Sequence, residues 1–239
     1  MWWMCLAVWK QQDTAVSPPR LTKPLPQIGI LHTAEIHVDT FTALANTRGL
    51  SSVHRVEEAW LAEASSYGLG DTLALKVQNA LSKLRAECDA VICTCSTLGT
   101  LAESFDDQHV FRIDGPMMAK AAAIGTKVLL VYCLESTKET SVRLLTQAFD
   151  EQPKLNLTKS VVTSLHCQDA WPFFEAAQYT QFGQAIARQI LDQVLTDYSC
   201  IVLAQASMTA ALPYLENRVE IPVLSSPTSA MDFTQQLIS

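Results

Sequence analysis

From residue 27 onward, short apolar runs alternate with longer stretches of helical period. "QIGILHT" (27–33) reads as a buried strand ending in polar residues. Residues 39–48 and 56–66 read as helical pieces, the second with Val56, Ala59, Trp60 and Ala64 at helical spacing. In "DTLALKVQNALSKLRAE" (71–87), Leu73, Val77, Leu81 and Leu84 share one face, with Asp71 as N-cap. "DAVICTC" (89–95) is the next strand, and "STLGTLAESF" starts a helix. "HVFRID" (109–114) is a strand, followed by a helix with Pro116 in its first turn. The series then repeats. Strands are expected at 127–133, 157–166, 200–207 and 221–226, and helices at 136–151, 181–197 and 227–238.

Such alternation predicts an α/β protein with parallel sheets flanked by helices. The two halves also match each other. Pairing Val91–Thr97 with Ile201–Ser207 sets Cys95 opposite Gln205 and Thr97 opposite Ser207. The expected architecture is therefore two similar lobes with the active-site cleft between them. The first lobe is expected to span 27–125, completed by 209–239, and the second 126–208. Residues 1–26 read as a flexible extension: "MWWMCLAVWK" is apolar but too short to cross a bilayer, and a Pro-rich stretch follows.

Composition narrows the function. The chain has 239 residues, 49% of them hydrophobic and 17% charged, enough for a large core. Its net charge of −7, without a Lys/Arg cluster, argues against nucleic acid and anionic membranes as partners. An anion would have to be held locally, by backbone N–H groups, hydroxyls and helix N-termini. The seven cysteines are odd in number and sit in or beside apolar runs. They read as reduced thiols in a cytoplasmic protein. In that compartment the Asn156-Leu157-Thr158 sequon carries no meaning.

Parallel sheets bind ligands beyond the carboxyl ends of their strands, so chemistry is sought in the residues just after each apolar run. Cys95 stands where a strand hands over to a possible helix N-terminus, a setting that favours a reactive thiolate. Cys93 lies deeper in the run and is assigned to the core. His32 can shuttle a proton near neutral pH, or serve as a hydrogen-bonded strand end. Thr33, Ser96, Thr97, Ser136, Thr137 and Ser207 can bind a carboxylate or cap a helix. Asp114 can orient a substrate amine or His32, or close a loop. Trp171–Glu175 is expected to pack rather than line the cleft. Cys93 and Cys95 with His166 and Cys167 do not have convincing metal-ligand spacing, so no metal is expected.

Five stretches in order carry a family likeness: "IGILHT", "VICTCSTLG", "RIDGPMMAKAA", "VLLVYCLEST" and "IVLAQASM". Together they resemble the aspartate/glutamate racemase superfamily, which also holds hydantoin racemases, arylmalonate decarboxylase and maleate isomerase. The resemblance implies a cofactor-independent enzyme acting on a small carboxylate-bearing substrate. In that superfamily two opposed cysteines flank the substrate α-carbon. Cys95 fits the first position. The second is Gln205, which cannot act as a base near neutral pH but can hydrogen-bond a carboxylate or amide. The implied reactions are a racemisation with His32 in place of the second thiol, or a one-thiol decarboxylation or cis–trans isomerisation. A non-catalytic binder of small acids is the other reading. A homodimer is a common outcome for such folds.

Overall fold

The computed structural model describes residues 24–152 and 160–239. Most of the N-terminal extension and the 156–158 sequon lie outside them. The first half runs β1 (Gln27–His32), α1 (Val38–Asn46), β2 (Ser51–Val56), α2 (Glu58–Tyr67), α3 (Asp71–Glu87), β3 (Ala90–Cys93), α4 (Gly99–Glu103), β4 (Val110–Arg112) and α5 (Gly115–Ile124). The second runs β5 (Lys127–Tyr132), α6 (Glu135–Asp150), β6 (Val161–His166), α7 (Trp171–Glu175), α8 (Tyr179–Leu191), β7 (Cys200–Leu203), α9 (Leu212–Leu215), β8 (Val223–Ser225) and α10 (Ser226–Ile238).

The strands form two four-stranded sheets with the same order, β2-β1-β3-β4 and β6-β5-β7-β8, and every pairing is parallel. The central strands are buried on both faces, which is why they read as unbroken apolar runs. The edge strand β2 was not legible in that way. Its sequence, SSVHRV, is half-buried along its whole length and has no apolar run. The expected helix at 56–66 begins only after it, at Glu58.

Each sheet is packed on both sides. Leu31, Val91 and Cys93 of the first sheet meet Leu73, Val77, Leu81 and Leu84 of α3. Ile28, Ile30 and Ile92 on its other face meet Phe41 of α1 and Ala230 and Met231 of α10. In the second sheet, Leu129, Val131, Ile201 and Leu203 meet Phe182, Ile186 and Ile190 of α8. Val128, Leu130 and Val202 meet Leu144 and Leu145 of α6, with Met117, Met118 and Ala121 of α5. Each such large apolar side chain contributes about 1.5–3 kcal/mol on burial.

The last helix of each half therefore crosses over. Helix α5 follows β4 but covers the second sheet, and α10 follows β8 but covers the first. Residues 209–239, expected to return to the first lobe, divide accordingly: β8 pairs with β7, and only α10 returns. Two further contacts position the cleft. Gly183 of α8 lies so close to the turn Ala206–Ala211 that a Cβ there would sit 2.1 Å from the Ala210 carbonyl oxygen. That close approach fixes the turn carrying Ser207. Arg48, in the turn after α1, pairs with Asp232 of α10 at 2.8 Å.

Candidate active site

The two lobes can be superposed through their registers. In the first, Ile28 pairs with Ala90, and the Thr94 N–H donates to the Leu31 carbonyl at 2.9 Å. In the second, Val128 pairs with Cys200, and the Ala204 N–H donates to the Val131 carbonyl at 2.9 Å. Cys95 and Gln205 thus hold matching positions, as the sequence pairing proposed. By the same register His32 matches Tyr132, Thr33 and Ala34 match Cys133 and Leu134, and Arg112 matches Ser225.

Cys95 lies two residues beyond β3, buried to 8% exposure and packed in one cluster with Cys93 and Leu98. Cys93 is a core residue. Its thiol donates to the Cys95 carbonyl at 3.8 Å, and burial pushes its pKa up to about 12. Burial likewise pushes Cys133 and Cys167 up to about 12. These thiols stay protonated and inert.

His32 is fully buried and belongs to a hydrogen-bonded chain. The Thr94 hydroxyl donates to the Leu31 carbonyl at 3.1 Å, so its oxygen accepts from Nδ1–H of His32 at 3.0 Å. The unprotonated Nε2 of His32 then accepts from Nδ1–H of His54 at 2.9 Å. Nε2 of His54 lies 2.9 Å from both the Thr42 and the Ser52 hydroxyl, and its one lone pair accepts from one of them at a time. This tautomer assignment follows from the single proton of each hydroxyl. Burial, then the nearby His54 and His37, lower the His32 pKa to about 3. The near-neutral titration expected of His32 is therefore absent. It is a neutral strut that holds Thr94, the residue before Cys95.

Of the roles its sequence position offered, Asp114 takes that of closing a loop. It is buried at 2% exposure and engages Arg112, itself buried at 2%. Nε of Arg112 donates to one carboxylate oxygen, and Nη2 donates to the other at 3.1 Å. Nη1 of Arg112 donates to Glu103 at 3.0 Å, and Nη2 also reaches the Ser96 carbonyl at 3.3 Å. Asp114 thus balances a buried cation that ties down the Cys95 loop, and its oxygens are not free for a substrate amine. The i, i+2 spacing of Arg112 and Asp114 was a readable sign of this pairing.

The hydroxyl residues are dispersed. Thr33 is half-buried in the turn after β1, Ser96 half-buried and Thr97 exposed in the turn before α4. The N-cap of α4 is Leu98, without a side-chain cap bond. Ser136 and Thr137 lie in the first turn of α6, exposed and half-buried. Gln205 turns into its own lobe: its Oε1 accepts from the N–H groups of Cys133 at 2.7 Å and Leu134 at 3.2 Å.

Ser207 lines a cavity of about 490 Å³ between the lobes. Its walls come from the segment after β1 (Ile36, His37, Asp39, Phe41), from the turn after β7, and from Phe174, Tyr179 and Pro227. It therefore lies beyond the carboxyl ends of β1, β7 and β8, where ligands of parallel sheets bind. Ser207 alone of the ten expected site residues lines it. Trp171, Phe173 and Phe174 pack, as expected, against the cluster of α8 and the second sheet, and Phe174 also lines the cavity. His37 and Asp39, which also line it, were not among the expected site residues. A larger groove of about 970 Å³ runs along α5 and α10 and is lined by none of the expected site residues. Among the described residues, no three His, Cys, Asp or Glu side chains gather as metal ligands. No described helix is long and apolar enough to cross a membrane.

Two parallel-sheet lobes of one topology, with exchanged helices and a cavity at their strand ends, define a two-lobed α/β protein of racemase type. A sequence model of the Asp/Glu/Hydantoin racemase family matches residues 33–234, and the chain belongs to that family. The fold is similar to that of an aspartate racemase homologue from Pyrococcus horikoshii OT3 (TM-score 0.65, 14% identity, 90% of this chain and 99% of that one). It is also similar to unliganded arylmalonate decarboxylase (TM-score 0.59, 15% identity, 90% and 93%). Allantoin racemase from Pseudomonas fluorescens is a third such structure (TM-score 0.55, 17% identity, 89% and 90%). No curated protein sequence matches the chain.

Proposed function

We propose that this protein is a cofactor-independent enzyme acting at a carbon adjacent to a carboxylate, with Cys95 as its reactive thiol. One observation carries the reading: of the two matching strand-end positions, the first lobe holds a thiol and the second an amide. In one direction of the chemistry, the Cys95 thiolate takes the α-proton and the electron pair moves into the carboxylate as an enediolate. Backbone N–H groups and hydroxyls stabilise that charge, and the thiol returns a proton to carbon. Gln205 has no proton to deliver at neutral pH. A one-thiol reaction follows, and a decarboxylation fits the same parts: carbon dioxide leaves, and the Cys95 thiol protonates the carbanion. The family holds racemases, and the fold is shared with a decarboxylase.

Turnover of small acids by wild type and Cys95→Ser tests this. A loss of about 10²–10⁴-fold is expected, the usual worth of a positioned acid–base group. A folded Cys95→Ser variant with full activity sinks the assignment. The inward turn of Gln205 favours a second reading, a binder of small acids without turnover. Binding without α-deuteration in heavy water would select it.

A further inference from the structure

In the second lobe two backbone N–H groups converge on a side-chain oxygen of the protein itself. The N–H groups of Cys133 and Leu134 converge where β5 hands over to α6, the arrangement that suits one carboxylate oxygen. Both are taken by Oε1 of Gln205, at 2.7 and 3.2 Å. In the first lobe the matching residues, Thr33 and Ala34, have no such side-chain partner among the described residues, because Cys95 stands in place of the glutamine. The cavity between the lobes points the same way. Ile36, Phe41, Phe174 and Tyr179 give it an apolar and aromatic wall, and none of its described lining residues is Lys or Arg. Its one acidic residue is Asp39, and burial lowers the pKa of its histidine, His37. A second carboxylate would meet the Asp39 charge there with no cation to balance it and only the hydroxyls of Thr40, Ser207 and Thr209 to hold it.

We infer that Gln205 is a built-in stand-in for a substrate carboxylate oxygen, and that the cleft therefore takes acids with one carboxylate and an uncharged, apolar remainder and rejects dicarboxylates, which selects the α-proton reaction over loss of carbon dioxide from a malonate-type diacid. This rests on reading the interlobe cleft as the substrate site. The first lobe binds the single carboxylate, and the cavity receives the rest of the molecule. Gln205 is a specificity-determining residue in this scheme.

Amide NMR of the full chain tests it, with succinate and phenylacetate as probes. In the wild type, phenylacetate shifts resonances of Ser207 and Thr209, succinate binds at least tenfold more weakly, and neither moves the Cys133 and Leu134 amides. In Gln205→Ala, succinate shifts both amides saturably and gains at least tenfold in affinity. Gln205→Ser serves the same purpose if the alanine variant does not fold. Succinate moving those amides in the wild type overturns the inference, as does a folded Gln205 variant without the succinate response. Phenylacetate binding no better than succinate overturns the substrate class. Binding is read without turnover, so a chain that exchanges no α-proton refutes the proposed reaction and leaves this inference standing.

Discussion

The two lobes share strand order, register and an exchanged helix, yet their strand ends carry different chemistry. In the first, a thiol, a neutral histidine chain and a buried ion pair surround one loop. In the second, an amide caps the backbone, Tyr132 stacks on His166, and Ser225 bonds Thr228. A duplicated frame thus fixes where groups can act, and side chains at matched positions decide which end acts. Burial of polar groups is concentrated at the first lobe, so its strand ends should be the more sensitive to substitution.

The largest difference in stability is expected at the matched pair Arg112 and Ser225. Asp114→Ala leaves the buried Arg112 cation with the exposed Glu103 as its one carboxylate and the Ser96 carbonyl as its other acceptor. Loss of one partner of a buried pair costs about 3–5 kcal/mol. Ser225→Ala, which removes one hydroxyl contact, should cost about 1 kcal/mol. Urea unfolding of both variants measures the gap, and equal costs would remove the asymmetry.

Next comes Gln205→Ala, which leaves two backbone N–H groups without their acceptor. The expected cost is about 1–3 kcal/mol, reduced where water reaches the site. Denaturant midpoints at constant slope would show it.

The pH response is smaller per unit and distinguishes His32 from its match Tyr132. The His32 pKa falls from 6.5 to about 3 on folding, and those of His37 and His54 are also lowered. Below the ordinary value the unfolded chain takes up protons that the folded chain refuses. The stability is therefore fully present above about pH 6.5 and is lost as pH falls toward 3. The slope is about 1.4 kcal/mol per pH unit for each such proton. Unfolding free energies at pH 7 and pH 5 test this, and His32→Asn should flatten the slope. A slope unchanged by that substitution would place the linkage elsewhere.

Much of the frame was legible in the sequence because buried central strands are continuous apolar runs and helices such as α3 carry their core face at regular spacing. Strand β2 was not, since an edge strand of mixed polarity carries no such signal. The same blind spot hid His54 and hence the neutral state of His32, whose partner lies on that strand. The match of Cys95 with Gln205 was readable from strand ends alone. The direction of the Gln205 side chain was not, because an amide serves a ligand or the backbone equally well. Membership of the cavity was the least legible part: Asp39, Phe174 and Tyr179 meet only through the packing of separate elements.

The central claim is that Cys95, and not its neighbour Cys93, does the chemistry. The direct measurement is α-proton exchange of an accepted acid in heavy water, followed by NMR for wild type, Cys93→Ser and Cys95→Ser. The account predicts that exchange survives in folded Cys93→Ser and falls about 10²–10⁴-fold in Cys95→Ser. Exchange at the wild-type rate in Cys95→Ser would contradict it.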